Sequence, residues 1–162
     1  MEIRAATRSD IPTIMQLERI DGYDKLVGRW DADQHGKEIE LASNRYFVGL
    51  EAGTIVTFCI LQGVGSPNQC VRVRRIIAQS PGRGVGSHFL QSILQISFDK
   101  LAAHRVELLV HMNNERARRV YERIGFFEEG VIRDYHRNPD GSFRSMRLMS
   151  VLKGDIAARS SG

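Results

Sequence analysis

Ser80-Pro81-Gly82-Arg83-Gly84-Val85-Gly86-Ser87 separates a β-rich run, Cys70-Val71-Arg72-Val73-Arg74-Arg75-Ile76-Ile77-Ala78, from a stretch of helical periodicity. Over residues 84–101, Val85, Phe89, Leu90, Ile93, Leu94, Phe98 and Leu101 keep the i, i+3, i+4, i+7 rhythm of an amphipathic helix. The octapeptide is therefore a glycine-rich turn that feeds a strand into a helix. Glycines there let the backbone approach a ligand closely and take conformations that a Cβ forbids. The helix start adds unpaired N–H groups and a partial positive charge, which suit an anion, and Arg83 adds a formal charge. A pyrophosphate fits these features, and so does a packing turn with no ligand. A dinucleotide turn of the Rossmann type carries G-x-G-x-x-G after the first strand, with an acidic residue about 20 residues on. Here the spacing is G-x-G-x-G after the fourth strand, which argues against a nicotinamide cofactor.

Working outward from this turn, residues 2–6 alternate as a first strand, and Ser9-Asp10-Ile11-Pro12 reads as a helix start. Residues 23–32, which include Arg29 and Trp30, have no period and read as a loop, and a second helix is expected over 33–43. Tyr46–Leu50 and Thr54–Leu61 read as a hairpin closed at Ala52-Gly53. Downstream, Val106–Val110 is a buried strand, and Asn114 caps a helix that stops at Gly125. Phe126–Tyr135 and Phe143–Leu152 form a last hairpin around Asn138-Pro139-Asp140-Gly141. The order βααβββαβαββ describes one α/β domain over 1–153, a mixed sheet with helices on both faces. Residues 154–162, small or polar, are expected to fray.

A chain of 162 residues with 42% hydrophobic and 26% charged residues can bury a core of its own without staples. No apolar run approaches the roughly 18 residues that span a bilayer. Met1-Glu2-Ile3-Arg4 lacks the pattern of a signal peptide, so no membrane is expected as a partner and a cytoplasmic protein is. Cys59 and Cys70 show no ligand spacing and read as reduced core thiols. His35, His88, His104 and His136 are scattered, so no metal is expected. The net charge of +4 suits an anionic ligand. Without interleaved aromatic and basic residues, however, nucleic acid is not expected.

Gly82-Arg83-Gly84-Val85-Gly86 resembles the acetyl-CoA motif Gln/Arg-x-x-Gly-x-Gly/Ala of the GNAT N-acetyltransferase superfamily. Asn114-Glu115-Arg116-Ala117-Arg118-Arg119-Val120-Tyr121-Glu122-Arg123-Ile124-Gly125-Phe126 resembles its later signature N-x-x-A-x-x-x-Y-E-x-x-G-F. With Glu129-Gly130, these motifs look closest to the branch that holds ribosomal-protein N-terminal acetyltransferases. The resemblance implies the GNAT fold, with strands 70–78 and 105–111 splayed around the pantetheine arm of acetyl-CoA. It implies that Ile76, Ile77 and Ala78 pair with that arm through their backbone. It also implies that amides from Gly82, Arg83, Gly84, Val85, Gly86 and Ser87 hold the pyrophosphate and that Asn114 contacts the cofactor. Tyr121 matches the family tyrosine that protonates the departing thiolate, and Tyr23, Arg29 and Trp30 fall where the family builds its acceptor wall.

The chain departs from the family pattern in two places. Pro81 stands at the first motif position and has no N–H to offer a phosphate, a loss that Arg83 or an arginine of the 116–123 helix can offset. Positions where relatives carry a basic carboxylate read as Arg72 and Leu109, neither of which accepts a proton. His111, on the same strand face as Leu109, becomes the candidate base, directly or through water. An α-amine, with a pKa of about 7.7–8, needs less help than a lysine at about 10.4. The expected partners are therefore acetyl-CoA and a primary amine, either a peptide N-terminus or a small-molecule amine. A homodimer and a non-catalytic acyl-CoA-binding module of the same fold are left open.

Overall fold

A computed structural model describes residues 1–160 except 22, 24–27 and 81, and gives the backbone alone for 157–160. The elements are β1 (Glu2–Ala5), a 3-10 turn (Arg8–Asp10), α1 (Ile11–Glu18), α2 (Ala32–Glu38), β2 (Arg45–Glu51), β3 (Thr54–Gln62) and β4 (Cys70–Ala78). They continue with α3 (Val85–Asp99), β5 (Arg105–His111), α4 (Glu115–Ile124), β6 (Phe127–Arg137), β7 (Phe143–Leu152) and α5 (Lys153–Ser160). The strands form one seven-stranded sheet in the order β1-β2-β3-β4-β5-β7-β6. Every neighbouring pair is antiparallel except β4·β5. The parallel pair needs a crossover, and α3 supplies it.

Each face of the sheet has its own core. On one, α3 lays Phe89, Leu90, Ile93, Leu94 and Phe98 over Val71, Val73, Val106 and Leu108. On the other, α1 lays Ile14 and Leu17 over Tyr46, Val48, Phe58, Ile60 and Ile77. The apolar rhythm of each helix and the alternation of each strand thus meet face to face, as the period arguments require.

One irregularity opens the sheet. β3 and β4 pair as Leu61↔Val73 and then Ile60↔Arg75, so Arg74 is skipped at a bulge. A bulge shifts the alternation by one. Before it Val71 and Val73 face α3; after it Arg75 and Ile77 are buried on the α1 side. The bulge also bends β4 away from β5, and their pairing runs only from Cys70↔Arg105 to Val73↔Leu108. Beyond Val73 and Leu108 the two strands diverge.

Two expectations are corrected. The second helix stops at Glu38, short of residue 43. Asp31 caps its start through Gln34 N–H, while the Asn44 amide bonds both the Glu38 carbonyl (3.0 Å) and its carboxylate (2.7 Å), turning the chain toward β2. The C-terminal residues form α5 rather than a frayed tail. Asp155 accepts from Leu152 N–H (2.9 Å), Lys153 Nζ donates to the Phe98 carbonyl (3.2 Å), and Ile156 packs against the α3-side core. Those contacts anchor a segment whose composition alone reads as coil.

Candidate active site

The divergence of β4 and β5 leaves a cleft of about 770 Å³ that passes through the sheet. Leu90 and Val120 line it from the helix α3 and α4 side, and Tyr23 and Gly28 from the other. One end lies at the glycine turn. Gly82 and Gly84 have φ of +96° and +81°, in the region that favours glycine. Gly84 takes the N-cap position of α3 without a side-chain bond, and His88 N–H closes back onto its carbonyl (3.0 Å). The N–H groups of Gly86 and Ser87 precede the first intrahelical bond and stay available at the cleft. A Cβ at Gly82 would meet Arg116 Nη2 at 3.1 Å, so this guanidinium lies directly over the turn. Free amides, a helix N-terminus and a cation converge where a diphosphate needs them. The residues fit the pyrophosphate of acetyl-CoA.

The middle of the cleft is the exposed edge of β4. Gln79 N–H bonds the Val56 carbonyl (2.8 Å) and the Ile77 carbonyl accepts from Thr57 Oγ1 (2.8 Å), so both turn toward β3. Alternation then turns the peptide groups of Ile76 and Ala78 toward the cleft, and the Ala78 carbonyl indeed accepts from Tyr23 Oη (3.1 Å). Ile76 and Ala78 therefore offer an edge that no described strand covers to an added strand-like arm. Ile77 does not, because its backbone serves β3 and its side chain is buried among Phe58 and Ile60. Arg83 and Val85 also lie outside the cleft lining, with Arg83 exposed.

Asn114 and Tyr121 both line the cleft from α4. Asn114 Oδ1 accepts from Ala117 N–H (3.1 Å), fixing the helix start. At the other end, Gly125 N–H and Phe126 N–H both fold back onto the Tyr121 carbonyl (3.0 and 2.9 Å). The Tyr121 ring leans on Phe126, with centroids 5.7 Å apart. Its hydroxyl has no hydrogen-bond partner among the described residues, and burial pushes the phenol above its ordinary pKa. It is held as a neutral donor.

At the far end stand His111, at the end of β5, and Arg72, Tyr135, His136 and Met146. Arg72 donates to Glu107 Oε1 from Nε (2.9 Å) and Nη2 (2.6 Å). Arg105 takes the other oxygen. These two guanidinium groups outweigh burial and hold the Glu107 carboxyl below its ordinary pKa. Tyr135 and His136 escape sequence reasoning because β6 slips register twice, between Glu128 and Gly130 and between Ile132 and His136. The one signal for the second slip is Asp134, whose residue type tolerates the left-handed conformation it adopts (φ +49°).

The acceptor wall differs from expectation. Trp30 does not line the cleft. Its ring covers the Arg75 guanidinium at 4.3 Å and meets His35 edge-on at 5.4 Å. Arg75 is ion-paired with buried Glu18, and Trp30 seals that pair. Arg29 is exposed and outside the lining as well. Part of the expected loop, residues 24–27, lies outside the described residues. Among the described residues no three His, Cys, Asp or Glu side chains gather to hold a metal, and no helix is long and apolar enough to cross a membrane.

Comparison with known proteins follows the same lines. Residues 11–126 match the model of the acetyltransferase (GNAT) family. The putative ribosomal N-acetyltransferase YdaF of Bacillus subtilis is 33% identical over 53% of this chain, a match that spans half of that relative's own length. The spermidine N(1)-acetyltransferase of Vibrio cholerae is 24% identical, with 99% of this chain and 97% of the relative covered. The structure of the Vibrio spermidine N-acetyltransferase in complex with CoA and spermine superposes with a TM-score of 0.82 at 22% identity, over 96% of this chain and 97% of the other. At that identity the likeness shows the fold.

Proposed function

The chain belongs to the acetyltransferase (GNAT) family, an N-acetyltransferase supplied by acetyl-CoA, and from that premise we propose direct acetyl transfer to a primary amine with Tyr121 as the general acid. Bound acetyl-CoA supplies an activated thioester. The N–H groups of Gly86 and Ser87 and the Arg116 guanidinium hold its diphosphate. The Ile76 and Ala78 peptide groups orient its arm. The Ile76 N–H polarises the acyl carbonyl, a donor held in place by the strand. The amine nitrogen bonds the acetyl carbon as the C–S bond breaks. Tyr121 delivers its proton to the sulfur, and the amine's proton leaves to His111 or water.

The observation that carries this reading is Tyr121, which lines the cleft, whose phenol burial keeps in the neutral form, and whose hydroxyl is bonded to no other described residue. A phenol, ordinarily of pKa about 10 and raised further by burial here, stays protonated at pH 7 and can give its proton to a basic thiolate.

A base is less demanding to supply. Arg72 and Leu109 cannot act, and Glu107 is held by two arginines. An α-amine with a pKa of about 7.7–8 presents a useful neutral fraction unaided, so peptides with free N-termini are favoured over lysine side chains. Thiol release from acetyl-CoA, measured with a panel of α-amines, N-blocked lysine peptides and amino sugars near pH 7.5, tests the reading. Release that depends on an added α-amine supports it. Release with lysine peptides alone contradicts the α-amine preference, and no release with any amine contradicts catalysis.

A further inference from the structure

The charges along the cleft identify what else the acceptor carries. Among its described lining residues are five arginines, at positions 72, 74, 75, 116 and 123, and a single carboxylate, Asp21. Arg72 is matched by Glu107 and Arg75 by Glu18. Arg116 overlies the glycine turn, at the phosphate end. That leaves Arg74. It is exposed, and among the described residues no carboxylate lies within ion-pair distance of it; its charge rests only over the Trp30 ring, at 5.7 Å. Arg74 is also the residue skipped at the β4 bulge. It stands at the point where the cleft opens, two residues before Ile76 on the strand.

Resting on the acetyltransferase reading above, we infer that the acceptor is an α-amine with a carboxylate close by, and that Arg74 binds the carboxylate while the nitrogen reaches the thioester. A guanidinium takes a carboxylate through two parallel hydrogen bonds, which fixes orientation as well as position. Arg72 Nη1, whose one bond is a long 3.4 Å contact to Tyr135 Oη, is a second donor at the same end. A polycation meets the opposite situation: its charges would lie beside Arg74, with Asp21 the one carboxylate among the described lining residues to offset them. The carboxylate can come from a free acidic amino acid or from the second residue of an acidic peptide N-terminus. The chemistry at Arg74 is the same for both.

The test compares Ala-Glu-amide with Ala-Gln-amide, which share the same α-amine and shape, alongside free glutamate and spermidine. Thiol release gives kcat/KM for each. In parallel, titration of the acetylated products N-acetyl-Ala-Glu-amide and N-acetyl-Ala-Gln-amide onto the CoA-loaded protein gives Kd without any chemistry. One charge-assisted pair is expected to favour the acid by about 10- to 100-fold in both measures. R74Q should erase that ratio, and added salt should shrink it in the wild type. The rates of free glutamate and Ala-Glu-amide then tell which source is preferred. Equal values for acid and amide, a ratio that survives R74Q, or a preference for spermidine overturns the inference. If no acceptor releases thiol, the binding ratio decides alone: discrimination that depends on Arg74 keeps the subsite and rejects the catalytic reading, and equal binding rejects the subsite.

Discussion

Arg72 and Glu107 are register partners across the parallel β4·β5 pair, and the guanidinium holds one carboxylate oxygen from both Nε (2.9 Å) and Nη2 (2.6 Å). This is the last stretch of β4 that β5 still accompanies, so the pair fastens the closed end of the splay. It also removes Glu107 from acid–base work, since its carboxyl is held in the charged form and shared with Arg105.

Glu107→Gln should therefore act on stability rather than on the pH dependence of the reaction. Leaving two guanidinium groups short of their carboxylate is expected to cost about 2 kcal/mol, seen as a lower midpoint in urea. The pH profile of kcat/KM should keep its shape between pH 6 and 9. A base limb that disappears in Glu107→Gln would assign proton abstraction to Glu107 and contradict the reading of the pair as structural.

Gly84→Asp tests the phosphate cradle. At φ +81° a side chain strains the backbone, and the carboxylate would project beside amides meant for phosphate. Saturating acetyl-CoA, at about 100 times Kd, should stabilise the wild type by about 2.7 kcal/mol. The melting temperature of the variant should not respond to CoA. Gly84→Asn, which tolerates the same backbone without the charge, should keep a reduced response. A full response in Gly84→Asp would place the diphosphate elsewhere.

Asp10 contributes stability that depends on pH. Bonds from Arg4 (2.8 and 2.9 Å) and Thr7 N–H (2.8 Å) lower its pKa to about 2, from an ordinary 3.8. A carboxyl lowered on folding contributes fully above its unfolded pKa and loses that contribution as pH falls through the folded one. With Arg4 partly exposed, Asp10→Asn should cost about 1–2 kcal/mol at neutral pH. The gap from wild type should close between about pH 4 and pH 2. A gap that stays constant across that range would show that the loss comes from the amide itself and not from the charge.

The glycine turn and the α4 signature are legible because their chemistry is local: positive φ needs glycine, a helix start needs Asn114, and a helix stop needs Gly125. The bulge at Arg74 is not. It decides which alternate residues of β4 turn to the cleft, Ile76 and Ala78 rather than Ile77, and nothing in Arg74-Arg75 distinguishes an exposed arginine from a buried one. Trp30 misleads for a related reason. A tryptophan in a loop can floor a pocket or seal a buried ion pair, and its partners Glu18 and Arg75 lie far from it in sequence. Tyr135 and His136 reach the site through register slips that break the alternation on which strand reading depends.

The central claim is that Tyr121 donates the proton that lets the thiolate leave. Asn114 and Tyr121 stand seven residues apart on α4, two turns, and both line the cleft. Tyr121→Phe keeps the ring, its contact with Phe126 and its burial, and removes only the hydroxyl. Single-turnover acetyl transfer, measured so that product release does not intervene, should fall by about 10²–10⁴-fold, with CoA affinity and melting temperature little changed. An unchanged single-turnover rate would contradict the account and leave protonation of the thiolate to water.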